Sequence, residues 1–222
     1  MDSRDLLLGD DARKLYRVLE IMKELSFRSG LGLSLKKPLA MFEERFELWE
    51  IQKDFADARS FYRDKLILCG DGIEVRIKAP ESVENKMLRT QLAQQNGLFK
   101  PFEKSFNDLI GFRIILEDYD IVKGLDTSLG EEYRLVDMTE GKATDDGYRG
   151  LHIYYQPDHQ HYPVELQIMT ERDRVFNMWL HENTYKIRGR EAVGGKLRQL
   201  YDKGVIRTEK DFKETLNVIF GG

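Results

Sequence analysis

The sequence predicts an α/β or α+β fold, with a mixed central sheet of about five strands flanked by helices. Three observations carry that expectation. Apolar residues recur at helical spacing up to Leu66, the pattern switches to alternation at Ile73, and about five strands then lie between the helical ends.

The first stretch, from about Asp10 to Leu66, reads as helical. Leu15, Val18, Leu19, Met22 and Leu25 share one face, and Leu39, Phe42, Phe46 and Trp49 repeat the pattern after a break at Gly30-Leu-Gly and Lys37-Pro38. Two packed helices follow from this. Arg28, Lys36 and Lys37 would lie near the break as solvated charges or, alternatively, as a basic rim.

Ile73-Glu-Val-Arg-Ile-Lys alternates as a half-buried strand does, and Pro80 then opens a helix in the one turn where proline is tolerated. Further strands are expected at Leu109–Leu116, Tyr133–Met138, Leu151–Gln156 and Val164–Met169, with an Asp/Gly-rich loop at Asp145–Gly147. Arg172–Arg188 and Lys210–Phe220 read as closing helices. The expected organisation is a helical segment over 1–66, a core over 67–190 and a helical extension over 191–222, all in one structural unit.

The chain has 222 residues, of which 41% are hydrophobic and 33% charged, and a net charge of −4. That balance describes a globular protein without the basic excess of a general nucleic-acid binder. The single Cys69 excludes an internal disulfide, and together with the acidic start and the lack of a membrane-length apolar run it leads to an expected cytoplasmic location.

Candidate chemistry clusters along the alternating half. Arg76 and Lys78 are two apart on a strand and so share a face, while Ser82, Lys86 and Arg89 share a face of the following helix. This is either an anion cradle or a solvated ladder with Glu81 and Glu84. Asp108 stands at the mouth of the apolar strand that holds Gly111 and Arg113. Glu165 and Gln167 share one face of Val164–Met169, so Asp108 and Glu165 can supply the oxygen ligands that Mg²⁺ prefers, or can be ordinary strand-end acids. Tyr148, Arg149 and His152 follow the Asp/Gly loop, where they could meet a base and phosphates or simply pack a hairpin. His159 and His161 read as part of a solvated turn.

The order of these motifs is more specific than any one of them. Arg76-x-Lys78-x-x-x-Ser82-x-x-x-Lys86, Asp108-Leu-Ile-Gly-Phe-Arg113, Gly147-Tyr-Arg-Gly-Leu-His152, Glu165-Leu-Gln-Ile-Met-Thr170 and His181-x-x-x-Tyr185-Lys186 follow one another as in RelA/SpoT synthetase domains. The chain closely resembles that family from about Ile73 to Lys186. The resemblance implies a nucleotidyltransferase-like synthetase fold and an ATP-dependent pyrophosphokinase that moves the β,γ-pyrophosphate of ATP to a ribose 3′-hydroxyl and releases AMP.

It further implies that Arg76, Lys78, Ser82, Lys86 and Arg89 hold ATP, that Arg113 lies near adenine, and that Asp108 and Glu165 are the catalytic carboxylates and the Mg²⁺ ligands. Tyr148, Arg149, His152, Gln167, Arg174 and His181 would serve the acceptor. Departures from the family pattern fall on that acceptor side: Ala143-Thr-Asp-Asp precedes Gly147, Met169 replaces an arginine, Arg174 stands where an asparagine is frequent, and Leu180 replaces a glutamate.

GDP or GTP, giving a (p)ppGpp-type alarmone, is the leading acceptor. The alternatives are the 3′-terminal adenosine of tRNA, the target of toxins in toxin–antitoxin pairs, and ATP or ADP, giving (p)ppApp. The resemblance also leaves a homo-oligomer or an antitoxin as protein partner, and since none of the four histidines is followed by aspartate, the metal-binding His-Asp hydrolase of longer members is not expected here.

Overall fold

The computed structural model describes residues 9–66, 72–125, 129–142, 145–185 and 193–220. Cys69, Ala143, Thr144 and Lys186, and the side chain of Tyr185, lie outside them. Five strands form one sheet in the order β1-β2-β5-β4-β3: β1 (Glu74–Ile77), β2 (Ile110–Leu116), β3 (Tyr133–Asp137), β4 (Leu151–Tyr155) and β5 (Val164–Thr170). β1 pairs antiparallel to β2, with Arg76 opposite Gly111. Each strand lies within two residues of its expected bounds. Alternating burial along β2 and β4 shows why, since the apolar positions point to the core and the intervening ones do not.

The chain forms two compact units, which interleave along the sequence. The first takes residues 1–114, 121–135 and 153–167. In it α1 (Asp10–Glu24) buries Leu15, Val18, Leu19 and Met22, as the period requires, and carries acids in its first turn and Lys23 in its last, each matching the helix dipole.

The second helical stretch differs from expectation. α2 (Leu39–Glu43) stops after one turn, and α3 (Leu48–Lys65) starts anew behind a capping box in which the Glu47 amide donates to the Glu50 carboxylate at 2.8 Å. The restart shifts the helical phase. Ile51, Phe55, Ala58 and Tyr62 become the buried face, while Trp49, expected on the apolar stripe, is 62% exposed.

α3 also buries Asp54, which accepts hydrogen bonds from Ser29 Oγ (2.7 Å), the Gly30 amide (2.7 Å) and Tyr162 Oη (2.6 Å). One carboxylate thus ties the loop after α1 to the entry of β5. Arg28, a candidate rim cation, instead bonds Gln160. Around this point Phe42, Phe55, Phe102, Phe106 and Tyr162 pack as a buried aromatic cluster, with Phe42 and Phe102 centroids 4.3 Å apart. Phe102 belongs to a short helix, α5 (Phe102–Ser105), which sequence patterning missed because it is a single turn.

From β1 the chain enters α4 (Pro80–Gln95), with Pro80 in its first turn. A short helix, α6 (Asp120–Leu125), precedes β3.

The second unit takes residues 115–120, 136–152 and 168–222. α7 (Glu171–Leu180) begins at Thr170, whose Oγ accepts the Asp173 amide at 3.2 Å, and gives way to one π-helical turn over His181–Tyr185. The long helix expected over Arg172–Arg188 changes its winding at His181, and its last three positions, 186–188, lie outside the described residues.

α8 (Gly194–Asp202) falls inside the helical extension expected over 191–222, although the sequence delimits no helix there because two glycines open it, and α9 (Glu209–Phe220) follows. Phe176, Trp179, Leu180, Leu197, Ile206, Phe212 and Leu216 form the buried cluster of this unit. Among the described residues no helix is long and apolar enough to cross a membrane.

Candidate active site

The first unit gathers the expected donor-side residues around Asp108. Lys78 follows β1, and its backbone is pinned from both sides: its amide donates to the Leu109 carbonyl at 2.9 Å and its carbonyl accepts from Arg59 Nε at 2.8 Å. Lys86 rises from α4. The two ammonium groups grip Asp108 from opposite oxygens, at 2.6 Å for Lys78 and 2.7 Å for Lys86. Burial pushes the Asp108 carboxyl up, but Lys86 and Lys78 together outweigh it and hold the group below the usual carboxylate range.

Two cavities flank this ion triad. Lys78, Ser82, Lys86 and Arg89 line one of about 570 Å³, together with Lys100 and Lys104. Its lining holds five cations and no carboxylate, so its field favours a polyanion. Arg76, Asp108, Gly111, Arg113, Glu165 and Gln167 line the other, of about 180 Å³. Arg76 and Lys78 were expected to share a face, and they serve neighbouring cavities instead, because β1 ends at Ile77 and Lys78 is no longer held to the strand's alternation.

Glu165 is only 6% exposed and has both oxygens engaged. Tyr154 Oη donates to Oε1 at 2.9 Å, and Gln167 Nε2 donates to Oε2 at 3.0 Å. Gln167 Oε1 in turn accepts from Arg113 Nη2 at 3.0 Å, so Arg113, Gln167, Glu165 and Tyr154 form one hydrogen-bonded chain. Gly111 makes room for it, since a β-carbon there would stand 3.3 Å from Glu165 Oε2. Burial first, and then the Glu165 charge, push the Tyr154 phenol up, so it stays a donor. The Arg134 guanidinium lies over the Tyr154 ring, 4.3 Å from its centroid.

The residues present fit a Mg²⁺ ion. Asp108 and Glu165 are hard oxygen donors on one small cavity, and Mg²⁺ needs only one or two carboxylates when phosphates and water complete its shell. Among the described residues no cluster of three or more His, Cys, Asp or Glu offers a closed metal cage.

The second unit holds most residues expected at the acceptor. Tyr148 Oη and His152 Nε2 lie 2.7 Å apart, and Lys142 stands 4.9 Å from the Tyr148 ring centroid. Arg149 is only 8% exposed, and its guanidinium closes on the loop itself, donating to Asp145 at 2.8 and 3.1 Å and to the Tyr148 carbonyl at 2.9 Å. Arg174 bonds the neighbouring Glu171 at 2.7 and 2.8 Å, and His181 is exposed on the π turn. Gln167, expected with this group, lies in the first unit beside Glu165.

Sequence reasoning missed Tyr154, Lys100 and Lys104. Tyr154 alternates in phase with His152 along β4 and was legible in principle, whereas the two lysines carry no motif.

A family model described as a region found in RelA/SpoT proteins matches residues 75–190. Solved structures with similarity include small alarmone synthetase 1 from Bacillus subtilis bound to its product pppGpp, at 18% identity over 71% of this chain and 88% of that one, with a TM-score of 0.39. A GTP pyrophosphokinase family protein from Streptococcus pneumoniae is 22% identical over 77% of this chain and 91% of its own, with a TM-score of 0.41. Small alarmone synthetase 2 from Bacillus subtilis is 19% identical over 72% and 96%, with a TM-score of 0.40. No curated protein matches.

Proposed function

The chain belongs to the RelA/SpoT family, and from that premise we propose that it is an ATP-dependent pyrophosphokinase whose acceptor is the ribose 3′-hydroxyl of GDP or GTP. The observation that carries this reading is the Lys78–Asp108–Lys86 triad beside Glu165, with a carboxylate-free basic cavity on its flank. Transfer of a phosphate group asks mainly for positioning and for positive charge around the migrating group.

In the proposed reaction the 3′-oxygen forms a bond to the β-phosphorus of ATP. The bond from that phosphorus to the oxygen bridging to the α-phosphorus breaks, and AMP leaves with the bridging oxygen. Lys78, Lys86, Arg89 and Ser82 bind the phosphates, with Arg76 and Arg113 on the adjoining cavity. Mg²⁺, held by Asp108 and Glu165, supplies further positive charge when bound. Glu165, fixed through both oxygens by Tyr154 and Gln167, is the carboxylate best oriented to take the 3′-proton. Tyr148 offers its ring to the acceptor base, and His152 holds the phenol.

A second reading, transfer to the 3′-terminal adenosine of tRNA, is favoured by one observation. The Leu35 and Lys37 carbonyls accept the amides of Glu103 and Phe102, which brings the Lys36-Lys37 segment beside the stretch that bears Lys100 and Lys104. Such a track suits a nucleic-acid backbone. Incubating the purified protein with γ-labelled ATP and, separately, GDP, GTP, ATP or tRNA tests both. Label on GDP or GTP supports the first reading, and label on tRNA alone overturns it in favour of the second.

A further inference from the structure

The matched family region ends at residue 190, yet α8, which begins at Gly194, is built against the loop that bears Tyr148. The seam is glycine on both sides. A β-carbon on Gly194 would overlap the Asp146 carbonyl oxygen and come within 2.6 Å of its carbonyl carbon. On Gly195 it would meet the Asp145 carbonyl oxygen at 2.6 Å, and on Gly147 the Gly194 carbonyl carbon at 2.6 Å. All three obstacles are backbone, so no side-chain rotation relieves them.

Gly147 also needs glycine for its own conformation, with φ of +87°. Gly194 and Gly195 have no such need; glycine is a poor helix former, and their place in the first turn of α8 follows from the closeness of the seam.

Both sides of the seam are tied down by further contacts. In α8, Leu197 is fully buried and Arg198, 6% exposed, pairs with Asp173 at 2.7 Å and with Asp202 at 3.0 Å. In the loop, the Asp145 carboxylate accepts from Arg149 and from the Gly147 amide at 3.0 Å, and Arg149 and Asn177 exchange backbone-to-amide bonds at 3.2 and 2.7 Å. The Arg149 ion pair, chiefly, holds the Asp145 carboxyl below its ordinary range, so this brace persists at neutral pH.

We propose that Gly194 and Gly195 are positioning residues for the acceptor: the first turn of α8 sets the height of the Asp145–Gly147 backbone and, through it, the place of the Tyr148 ring. The inference rests on the reading that Tyr148 meets the acceptor base. A β-carbon at either glycine lifts the loop and misplaces the ring, while the ATP residues, which belong to the other unit, keep their geometry.

The test is Gly194→Ala and Gly195→Ala in the full chain, with Gly124→Ala as control, whose β-carbon would meet nothing within 4 Å. The KM for GDP or GTP should rise about tenfold or more, with kcat at saturating acceptor and the KM for ATP nearly unchanged. A merely unstable variant behaves differently: a smaller folded fraction lowers kcat and leaves both KM values alone.

Hydrogen exchange gives a readout that needs no acceptor. In the unsubstituted protein the Gly147 and Tyr148 amides should exchange as slowly as those within α8, and in either variant faster. Rapid exchange of those amides in the unsubstituted protein overturns the proposal even if neither variant folds. Unchanged acceptor KM and unchanged exchange in a folded variant overturn it as well. A failure of the functional reading shows separately, as absence of guanine-nucleotide labelling by the unsubstituted protein with the exchange pattern intact.

Discussion

Lys86→Ala probes the centre most directly, because its ammonium both lines the basic cavity and lies 2.7 Å from Asp108. A charge-assisted hydrogen bond contributes about 1.5–3 kcal/mol. Lys86 already holds a charged partner before ATP arrives, so binding exchanges one anion for another and the low end of that range applies. The expected loss is about 1.5 kcal/mol, or roughly tenfold in the Kd for ATP by calorimetry.

The same substitution acts on Asp108. Its folded-state carboxyl lies below the ordinary value, so it stabilises the fold above its unfolded pKa of about 3.9, and that contribution fades as pH falls through the folded value. With Lys86 gone only Lys78 opposes burial, so the folded value rises toward the unfolded one, the stabilisation present at neutral pH shrinks, and the midpoint of acid unfolding moves to higher pH. An unchanged ATP affinity together with an unchanged acid transition would refute the assignment of Lys86 to both roles.

Other expectations can be checked with the labelled-ATP assay. Asp108→Asn and Glu165→Gln should each nearly abolish transfer while circular dichroism stays native, and chelation of Mg²⁺ should do the same; native-like turnover in either folded variant removes the carboxylate assignment. Tyr154→Phe deletes one of the two bonds that orient Glu165, and kcat should fall about tenfold or more with the KM for ATP unchanged; equal kcat would mean that Gln167 alone suffices. Lys36→Glu with Lys37→Glu should leave GDP or GTP labelling near that of the unsubstituted protein, and a large loss there would count against free nucleotide as acceptor.

The parts of the molecule legible in the sequence are those governed by local rules. Alternation from Glu74 to Ile77 and Pro80 in the first turn of α4 fix a strand that passes into a helix, and the bounds follow within a residue or two. The expected donor motif was legible only in part: Arg76 lies on β1 and Lys86 and Arg89 on α4, whereas Lys78 follows the strand and leaves its phase, and Arg113 lies on β2. What escaped depends on partners distant in sequence. Trp49 kept the apolar period of Leu39 and Phe42, and only the Glu47–Glu50 cap shows that the helix restarts and rotates it outward.

The bond from Arg149 to Asp145 has no sequence signal, and the bounds of α8 within the expected extension are hidden because its two glycines argue against a helix unless the Asp145–Asp146 backbone is known to press on them. Tyr154 lay within a correctly read strand. Its link to Glu165 required knowing that β4 and β5 are neighbours.

The centre also explains how one set of side chains can serve both the folded protein and the proposed reaction. Asp108 is largely removed from water and would be costly to bury as a lone carboxylate, yet two lysines compensate it and hold it ionised. Those lysines carry one positive charge more than Asp108 neutralises, and Arg89, Lys100 and Lys104 add to it along the same cavity wall. A phosphate chain entering there would meet cations whose positions are already set by an acid. If the lysines turn to phosphate, as the proposed reaction asks, Asp108 would lose compensation that a divalent cation in the small cavity it lines with Glu165 would restore. On the proposed reading, the pairing that stabilises the folded protein would also make phosphate and metal favour each other's binding.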